Sequence, residues 1–249
     1  MCLIVVGWQV SAEFPLLVAA NRDEFYARPT AYADFWSDAP EVIGGRDLEA
    51  GGTWLGVTRS GRFAAVTNVR EPGASKGRHS RGKLTQDFLT GQQTAADYVS
   101  QLEMQDFSGF NLLVGDGDSL CYCSNRSSAP QELAPGIYGL SNHLLDSPWP
   151  KLVTARLGFA QALEKLPDRT PLFAILADDE IVPDGELPNT GVPLEWERRL
   201  SAIFVRSADY GTRASTVVTV NSGREITFEE RSFGPHGRPL QSSVISTAV

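Results

Sequence analysis

Histidine and cysteine are scarce, with three of each in 249 residues. His79, His143 and His236 fall at no metal-ligand spacing and are read as loop residues, His143 beside Asn142 being the one that merits a test. Three cysteines are too few, and odd in number, for a disulfide framework, which points to free thiols and a cytoplasmic location. Basic charge is also in deficit: 22 Lys and Arg stand against 30 Asp and Glu, a net charge of -8. That balance disfavours nucleic acid and anionic membrane surfaces as partners. No apolar run is long enough for a membrane helix, and the first residues lack the basic start and extended apolar core of a signal peptide, so no stable membrane insertion is expected. The Gly-rich stretch "EVIGGRDLEAGGTWLG" lacks the Gly-Lys-Ser/Thr ending of a phosphate loop. Its glycines are read as tight turns, and no nucleotide, metal or other cofactor is implied.

What is present is a globular composition, 42% hydrophobic and 21% charged. No linker interrupts it, so 1–249 is expected to form a single domain. "CLIVVGW" and "PLLVAAN" read as two paired strands at the very start of the chain. "TWLGVTR" and "RFAAVTN" flank Ser60-Gly61 as a hairpin does. Two short helices are expected over "SRGKLTQDFLTG" and "TAADYVSQLEMQ", with Thr94 and Asp97 spaced as a helix N-terminal cap. Strands return at "FNLLVGD", "LCYCSN" and "GIYGLSN". Helical periodicity then takes over in "PWPKLVTARLGFAQALEKL", "TPLFAILAD" and "PLEWERRLSAIF". The alternating halves of "TRASTVVTVNSGREITFEERSF" turn at Asn221-Ser222-Gly223. Strands at both ends with helices between them give an α+β fold, most simply two sheets packed face to face with helices outside. Cys121 and Cys123 share one face of their strand and, with no second ligand pair, are read as packing residues.

Cys2 carries the chemistry. A small residue at position two allows Met1 to be removed, which exposes an α-amino group beside the thiol. With ordinary pKa values of roughly 7.7–8.0 and about 8.5, the two exchange a proton near neutral pH after a modest shift of either. Asp23, at the end of the second strand, returns to the level of Cys2 if the two strands are antiparallel, and its carboxylate can hold the amine. Asn68 and Asn142 each end an expected strand and can donate to a developing oxyanion; loop initiation is the common use of Asn and the reading that suits Asn68, and Asn142 is the preferred donor. Arg213 brings a fixed fork of donors. Taken singly, Cys2 reads as a buried structural thiol and Arg22 with Asp23 as a turn interaction; taken together they make a site.

The segments "MCLI", "NRDEFYARP", "GGRDLEAGGTWLG", "TNVREP", "SRGKL", "GLSNHLLDSPWPK" and "YGTRASTV", in that order, resemble the NRDE family, also called the transport and Golgi organisation protein 2 family. That family is in turn similar to the Cys-type N-terminal nucleophile hydrolases that include penicillin V acylase and bile salt hydrolase. The resemblance implies a four-layer αββα sandwich of two antiparallel sheets. It also implies Cys2 as nucleophile, Asp23 as the amine-holding carboxylate, Asn68 and Asn142 as the oxyanion region and Arg213 as a supporting arginine. The acylases carry an arginine three residues before that aspartate; here Ala20 stands there and Arg22 directly precedes Asp23, as a substitute or a family-specific contact. The expected activity is cleavage of a small-molecule amide or thioester through an acyl-Cys2 intermediate. The rival expectation is a carrier for a lipid-like ligand, haem or an acyl conjugate that uses the same pocket without turnover. Neither the substrate nor the oligomeric state follows from the sequence.

Overall fold

Period-two alternation in the first two strands sets the register of the whole molecule. The computed structural model describes residues 2–127 and 129–248; Met1, on which the processing expectation rests, lies outside the described residues. Strand β1 (Cys2–Trp8) pairs antiparallel with β2 (Leu16–Phe25), Cys2 opposite Arg22 and Trp8 opposite Leu16. The alternate residues Ile4, Val6, Trp8, Leu16, Val18 and Ala20 enter one core, while Leu3, Val5, Leu17 and Ala19 enter another. Both faces of these strands are therefore buried, which is why they read as near-continuous apolar runs.

The chain next builds a separate sheet, in sequence order, from β3 (Thr30–Trp36), β4 (Ala39–Asp47), β5 (Leu55–Thr58), β6 (Phe63–Asn68), β7 (Phe110–Gly115), β8 (Leu120–Ser124) and β9 (Gln131–Glu132). It then returns to the first sheet with β10 (Gly136–Leu140), β11 (Tyr210–Val220), β12 (Glu225–Gly234) and β13 (Arg238–Ala248), giving the order β10-β1-β2-β11-β12-β13. Between the sheets lies a core that includes Ile43, Leu55, Phe63, Leu113, Val218 and Phe228. Full burial of each such side chain is worth about 1.5–3 kcal/mol. Helices α1 (Gly82–Thr90) and α2 (Ala95–Ser100) cover the outer face of the second sheet, where Cys121 and Cys123 pack with Phe88 and Val99. Helices α3 (Pro150–Ala162) and α4 (Thr170–Leu176) cover the outer face of the first. The result is the expected αββα sandwich of two antiparallel sheets.

Local chemistry sets the element ends. Thr94 accepts from Asp97 N (3.1 Å) and donates to Asp97 Oδ2 (2.8 Å), capping α2 as its spacing predicts. Pro150 begins α3. Gly51 and Gly52 both take φ +71, the turn conformation for which glycine suits. The helix expected over "PLEWERRLSAIF" is shorter: α5 spans Leu194–Arg199. Beyond it Ser201 Oγ donates to Arg198 O (2.7 Å) and accepts from Val182 N (3.0 Å), while Phe204 N donates to Asp178 O (2.6 Å), drawing the chain out of helix. Strands β3, β4, β9 and β13 have no counterpart in the sequence reading. Among the described residues no helix is long and apolar enough to cross a membrane.

Candidate active site

Cys2, Arg22, Ala214 and Ser232 form one row across four strands of the first sheet. By alternation from Ile4 and Ala20, Cys2 and Arg22 face inward, toward the second sheet. Their end of the sandwich opens into a cavity of about 490 Å³, whose wall includes Cys2, Arg22, Asp23, Asn68, Arg81 and Arg213. Cys2 is only 8% exposed, and burial pushes its thiol up from the ordinary value. Burial thus favours the neutral thiol over the thiolate.

Asp23 falls on the opposite parity, with Leu17 and Ala19, so its carboxylate lies on the helix-covered side of the sheet. It is 1% exposed and accepts from Thr212 Oγ1 at 2.7 Å; the same hydroxyl accepts from Val205 N at 2.9 Å. Burial pushes its carboxyl up, against the lowering effects of Lys151 and of the Thr212 hydroxyl. Thr212 and Asp23 are register partners, and the pairing shifts between Thr212 and Ala214, which leaves Arg213 at a bulge. Freed from the row, the Arg213 guanidinium donates to the carbonyls of Phe25 (3.2 Å) and Arg28, and to Thr30 Oγ1 (3.4 Å). It fastens the turn after β2 and contributes to the cavity wall, so its hydrogen bonds serve the loop rather than the nucleophile.

Asn142 and Asn68 are brought together, with different parts. Asn142 is fully buried, and its Nδ2 donates to Asn68 Oδ1 (2.9 Å) and Asn68 O (3.2 Å). Asn68 Nδ2 makes one long bond to Val69 O (3.3 Å), and Asn68, unlike Asn142, is on the cavity wall. The segment is tied to the nucleophile strand: Ser141 Oγ donates to Cys2 O (3.1 Å), and Thr67 Oγ1 donates to Ser141 O (2.6 Å). The preferred asparagine therefore stands behind the other and fixes its amide.

Arg22 is 7% exposed, and its Nη1 is buried without a hydrogen-bond acceptor among the described residues; its nearest carboxylate, Glu24 Oε2, is 3.9 Å away. Buried Glu230 faces the same space. Its Oε1 accepts from Ala33 N (3.2 Å) and its Oε2 from Thr216 Oγ1 (3.0 Å), bridging the two sheets. Arg81, just before α1, donates to Gly109 O (3.2 Å), and burial lowers it, with the Cys2 thiol acting in the opposite sense.

Besides Glu230, three further buried residues near this site went unread in the sequence. Thr212 is adjacent to Arg213, yet nothing marks its role. Arg70 forms an ion pair with Glu197 at 2.7 Å, and its backbone N–H donates to Asn142 O at 2.8 Å. Lys151, 5% exposed, donates from Nζ to Leu200 O at 2.8 Å, and burial pushes it down to about 8. A signal existed for Lys151: it begins the stripe Lys151, Ala155, Phe159, Ala162 that α3 turns inward.

The sequence profile described as Transport and Golgi organisation 2 matches residues 1–235. The Transport and Golgi organization protein 2 homolog of Bos taurus is 41% identical over 242 residues, 88% of this chain and 87% of that protein. The Homo sapiens homolog is 38% identical over 241 residues, with the same coverage of 88% and 87%. Among solved structures, a mutant conjugated bile acid hydrolase from Clostridium perfringens superposes with TM-score 0.50 at 11% identity, over 98% of this chain and 92% of that one. A Caenorhabditis elegans N-acylethanolamine-hydrolyzing acid amidase ortholog also gives TM-score 0.50, at 17% identity, over 87% of this chain and 92% of that one. At such identities these two establish the fold, which is that of N-terminal nucleophile hydrolases. With its profile matched over nearly the whole length and its relatives near 40% identity, the chain belongs to the Transport and Golgi organisation 2 family.

Proposed function

We propose that the protein is an N-terminal-cysteine hydrolase, one domain over 1–249 acting in the cytoplasm, which cleaves a non-peptide amide or a thioester through an acyl-Cys2 intermediate. The observation that carries this reading is the position of Cys2: a buried thiol on the wall of a cavity, at a strand end opposite Arg22 and so next to Asp23. A thiol held protonated by burial needs a base within reach, and removal of Met1 places the α-amine on the same residue. In the acylation step the S–H proton passes to that amine and sulfur bonds to the acyl carbon. The tetrahedral oxyanion then collapses with cleavage of the C–N or C–S bond, and the leaving amine or thiol takes the proton. Water then gives a proton to the same amine as its oxygen bonds to the acyl carbon, the acyl C–S bond breaks, the Cys2 sulfur takes the proton back and the acid leaves.

Asp23 supports the amine in its charged state, and Asn68, held by Asn142, offers its amide to the oxyanion. The arginines Arg22, Arg81 and Arg213 give the wall a positive character against the chain's net charge of -8, which suits an acyl donor carrying negative charge. A hydrolase fold in two solved neighbours supports the reading; the relatives' name speaks of transport and Golgi organisation and of no reaction.

The test is the intact mass of wild type and Cys2→Ala after incubation with a panel of acyl thioesters and amides, together with N-terminal sequencing. The expected result is Cys2 as the first residue, an acyl adduct on the wild type and none on the variant. A ligand that co-purifies and leaves chemically unchanged, with no adduct on Cys2 at any time, would identify a carrier instead.

A further inference from the structure

Of the arginines on the cavity wall, all but one are engaged by the protein itself. Arg28 pairs with Asp47 at 2.7 Å, and Arg46 Nη2 donates to Asp38 Oδ2 at 2.8 Å. Exposed Arg78 stands 3.5 Å from Asp106, Arg81 donates to Gly109 O (3.2 Å), and Arg213 donates to the carbonyls of Phe25 (3.2 Å) and Arg28. Arg22 is the exception among the described residues. It is 7% exposed, its Nη1 has no acceptor, and Glu24 Oε2 stands off at 3.9 Å from its Nη2. Glu24 is itself divided: its Oε1 accepts from Phe25 N (2.8 Å), and its Oε2 lies 4.0 Å from Arg28 Nε. A guanidinium cannot shed its proton, and buried polar groups in folded proteins are ordinarily hydrogen-bonded. A buried arginine left short of acceptors on the wall of a cavity calls for an anion that the protein does not supply.

We propose that Arg22 is a specificity-determining residue whose guanidinium binds a carboxylate carried on the acyl portion of the substrate, so that the acyl donors are half-thioesters or half-amides of short dicarboxylic acids. The inference rests on the N-terminal-cysteine reading and names the substrate class of that site. Arg22 is the register partner of Cys2. Directly opposed residues of an antiparallel pair turn their side chains to the same face, with Cβ atoms about 4.5–5.5 Å apart. An acyl group bonded to the Cys2 sulfur therefore starts beside the guanidinium, and a short run of methylenes spans the roughly 4.8 Å between neighbouring strands. Exposure assigns the two ends of the substrate. Lys76 and Arg78 on the wall are exposed and mark the side from which a leaving amine or thiol departs, whereas the part bonded to sulfur stays against the buried Arg22. A single carboxylate fits the planar fork of donors. Glu24 and Glu230 share the wall, so a group of higher negative charge would meet more repulsion.

Glutaryl and valeryl thioesters of N-acetylcysteamine compare a carboxylate with a methyl at the end of acyl chains of equal carbon number, and neither carries a phosphate. Their equilibrium binding to Cys2→Ala is measured by calorimetry, and the rate at which they acylate the wild type is followed by intact mass. In both assays the glutaryl compound is expected to be favoured by about tenfold or more, as one charge-assisted pair would give. Introduced into either background, Arg22→Gln should bring the ratio close to one, and Arg22→Lys, which keeps the charge without the fork, should retain part of it. A ratio within about twofold of one before Arg22 is changed overturns the proposal without any Arg22 variant. A ratio that Arg22→Gln leaves in place overturns it as well. Should Arg22→Gln not fold, Arg22→Lys decides, since a ratio as large as the parent's would place the carboxylate elsewhere. Glutaryl selectivity in binding with no adduct on the wild type would defeat the hydrolase reading and leave Arg22 as the carboxylate site of a carrier, whereas adducts formed equally fast from both thioesters would defeat this proposal alone.

Discussion

Replacing Thr212 by Val exchanges one hydroxyl for a methyl of nearly the same volume, at a fully buried position. Two hydrogen bonds are lost: the donation to Asp23 Oδ1 at 2.7 Å and the acceptance from Val205 N at 2.9 Å. A bond to a charged acceptor contributes about 1.5–3 kcal/mol, and a buried N–H left unsatisfied costs about 1–3 kcal/mol. The two effects share one atom and overlap, so a total near 3–4 kcal/mol is expected, a large fraction of the stability of an ordinary domain. Thr212→Ser keeps the oxygen and should cost about 1 kcal/mol, mainly for the lost methyl. Urea unfolding of the three proteins at neutral pH measures the difference, with an unchanged slope confirming that the unfolding reaction is the same. The hydroxyl also opposes the upward push of burial on Asp23, so its loss should raise the carboxyl further. A Thr212→Val cost below about 1 kcal/mol would refute the reasoning, because the bonds it counts would then contribute nothing measurable.

Asp23→Asn should leave the fold largely intact and slow acylation or alkylation of Cys2, since a neutral amide stabilises a charged amine less well; a rate unchanged from roughly pH 6 to 9 would reduce Asp23 to a structural residue. Glu230→Gln has a defined sign. Burial pushes the Glu230 carboxyl up, against the lowering effects of Thr216, the Ala33 N–H and Arg22. Its contribution to stability is complete below the ordinary glutamate value and is lost as pH rises through the raised folded value. The amide keeps both bonds, accepting from Ala33 N and donating to Thr216. Between acid and neutral pH the variant should therefore gain on the wild type, by about 1.4 kcal/mol for every tenfold difference in proton affinity between the folded and unfolded carboxyl. Urea melts at about pH 4 and 7 read this directly, and a difference between the proteins that does not change with pH would contradict it.

The strands readable in the sequence were those buried on one or both faces. β1 and β2 show dense β-branched runs, and the turn Asn221-Ser222-Gly223 joins two alternating segments, so both hairpins were legible. β13 was not, because "RPLQSSVISTA" is an edge strand with one neighbour and mixes Ser, Gln and Thr with Leu240 and the exposed Val244, leaving no clean alternation. β3 and β4 lie at the far edge of the other sheet, where register shifts after Ala31 and Phe35 interrupt the period. Of the candidate site, the nearness of Asp23 to Cys2 followed from antiparallel pairing alone. The order of the two asparagines did not, since it depends on which amide the fold turns toward the cavity, and a strand-end Asn carries no mark of that. Lys151 was hidden by its type: a lysine at a helix start is ordinarily a solvated residue, and only its membership of the inward stripe says otherwise.

The same alternation divides the candidate site in two. Residues of one parity, Cys2, Arg22 and Glu230, face the space between the sheets, where a substrate would lie. Asp23 and Thr212, register partners of the other parity, face the helix-covered side. A residue at the end of a strand can belong to both: its side chain takes one face, and in the proposed mechanism, with Met1 removed, its α-nitrogen is free to reach the other. Substitutions should sort accordingly. Changes at Arg22 should alter which acyl donors react, with the pH profile held, while changes at Thr212, whose hydroxyl bonds Asp23, should move the pH profile with the same preference among donors. A pH profile that shifts with Arg22 as strongly as with Thr212 would mean that the sheet does not separate proton from substrate, and that the position of Cys2 at a strand end has no part in the chemistry.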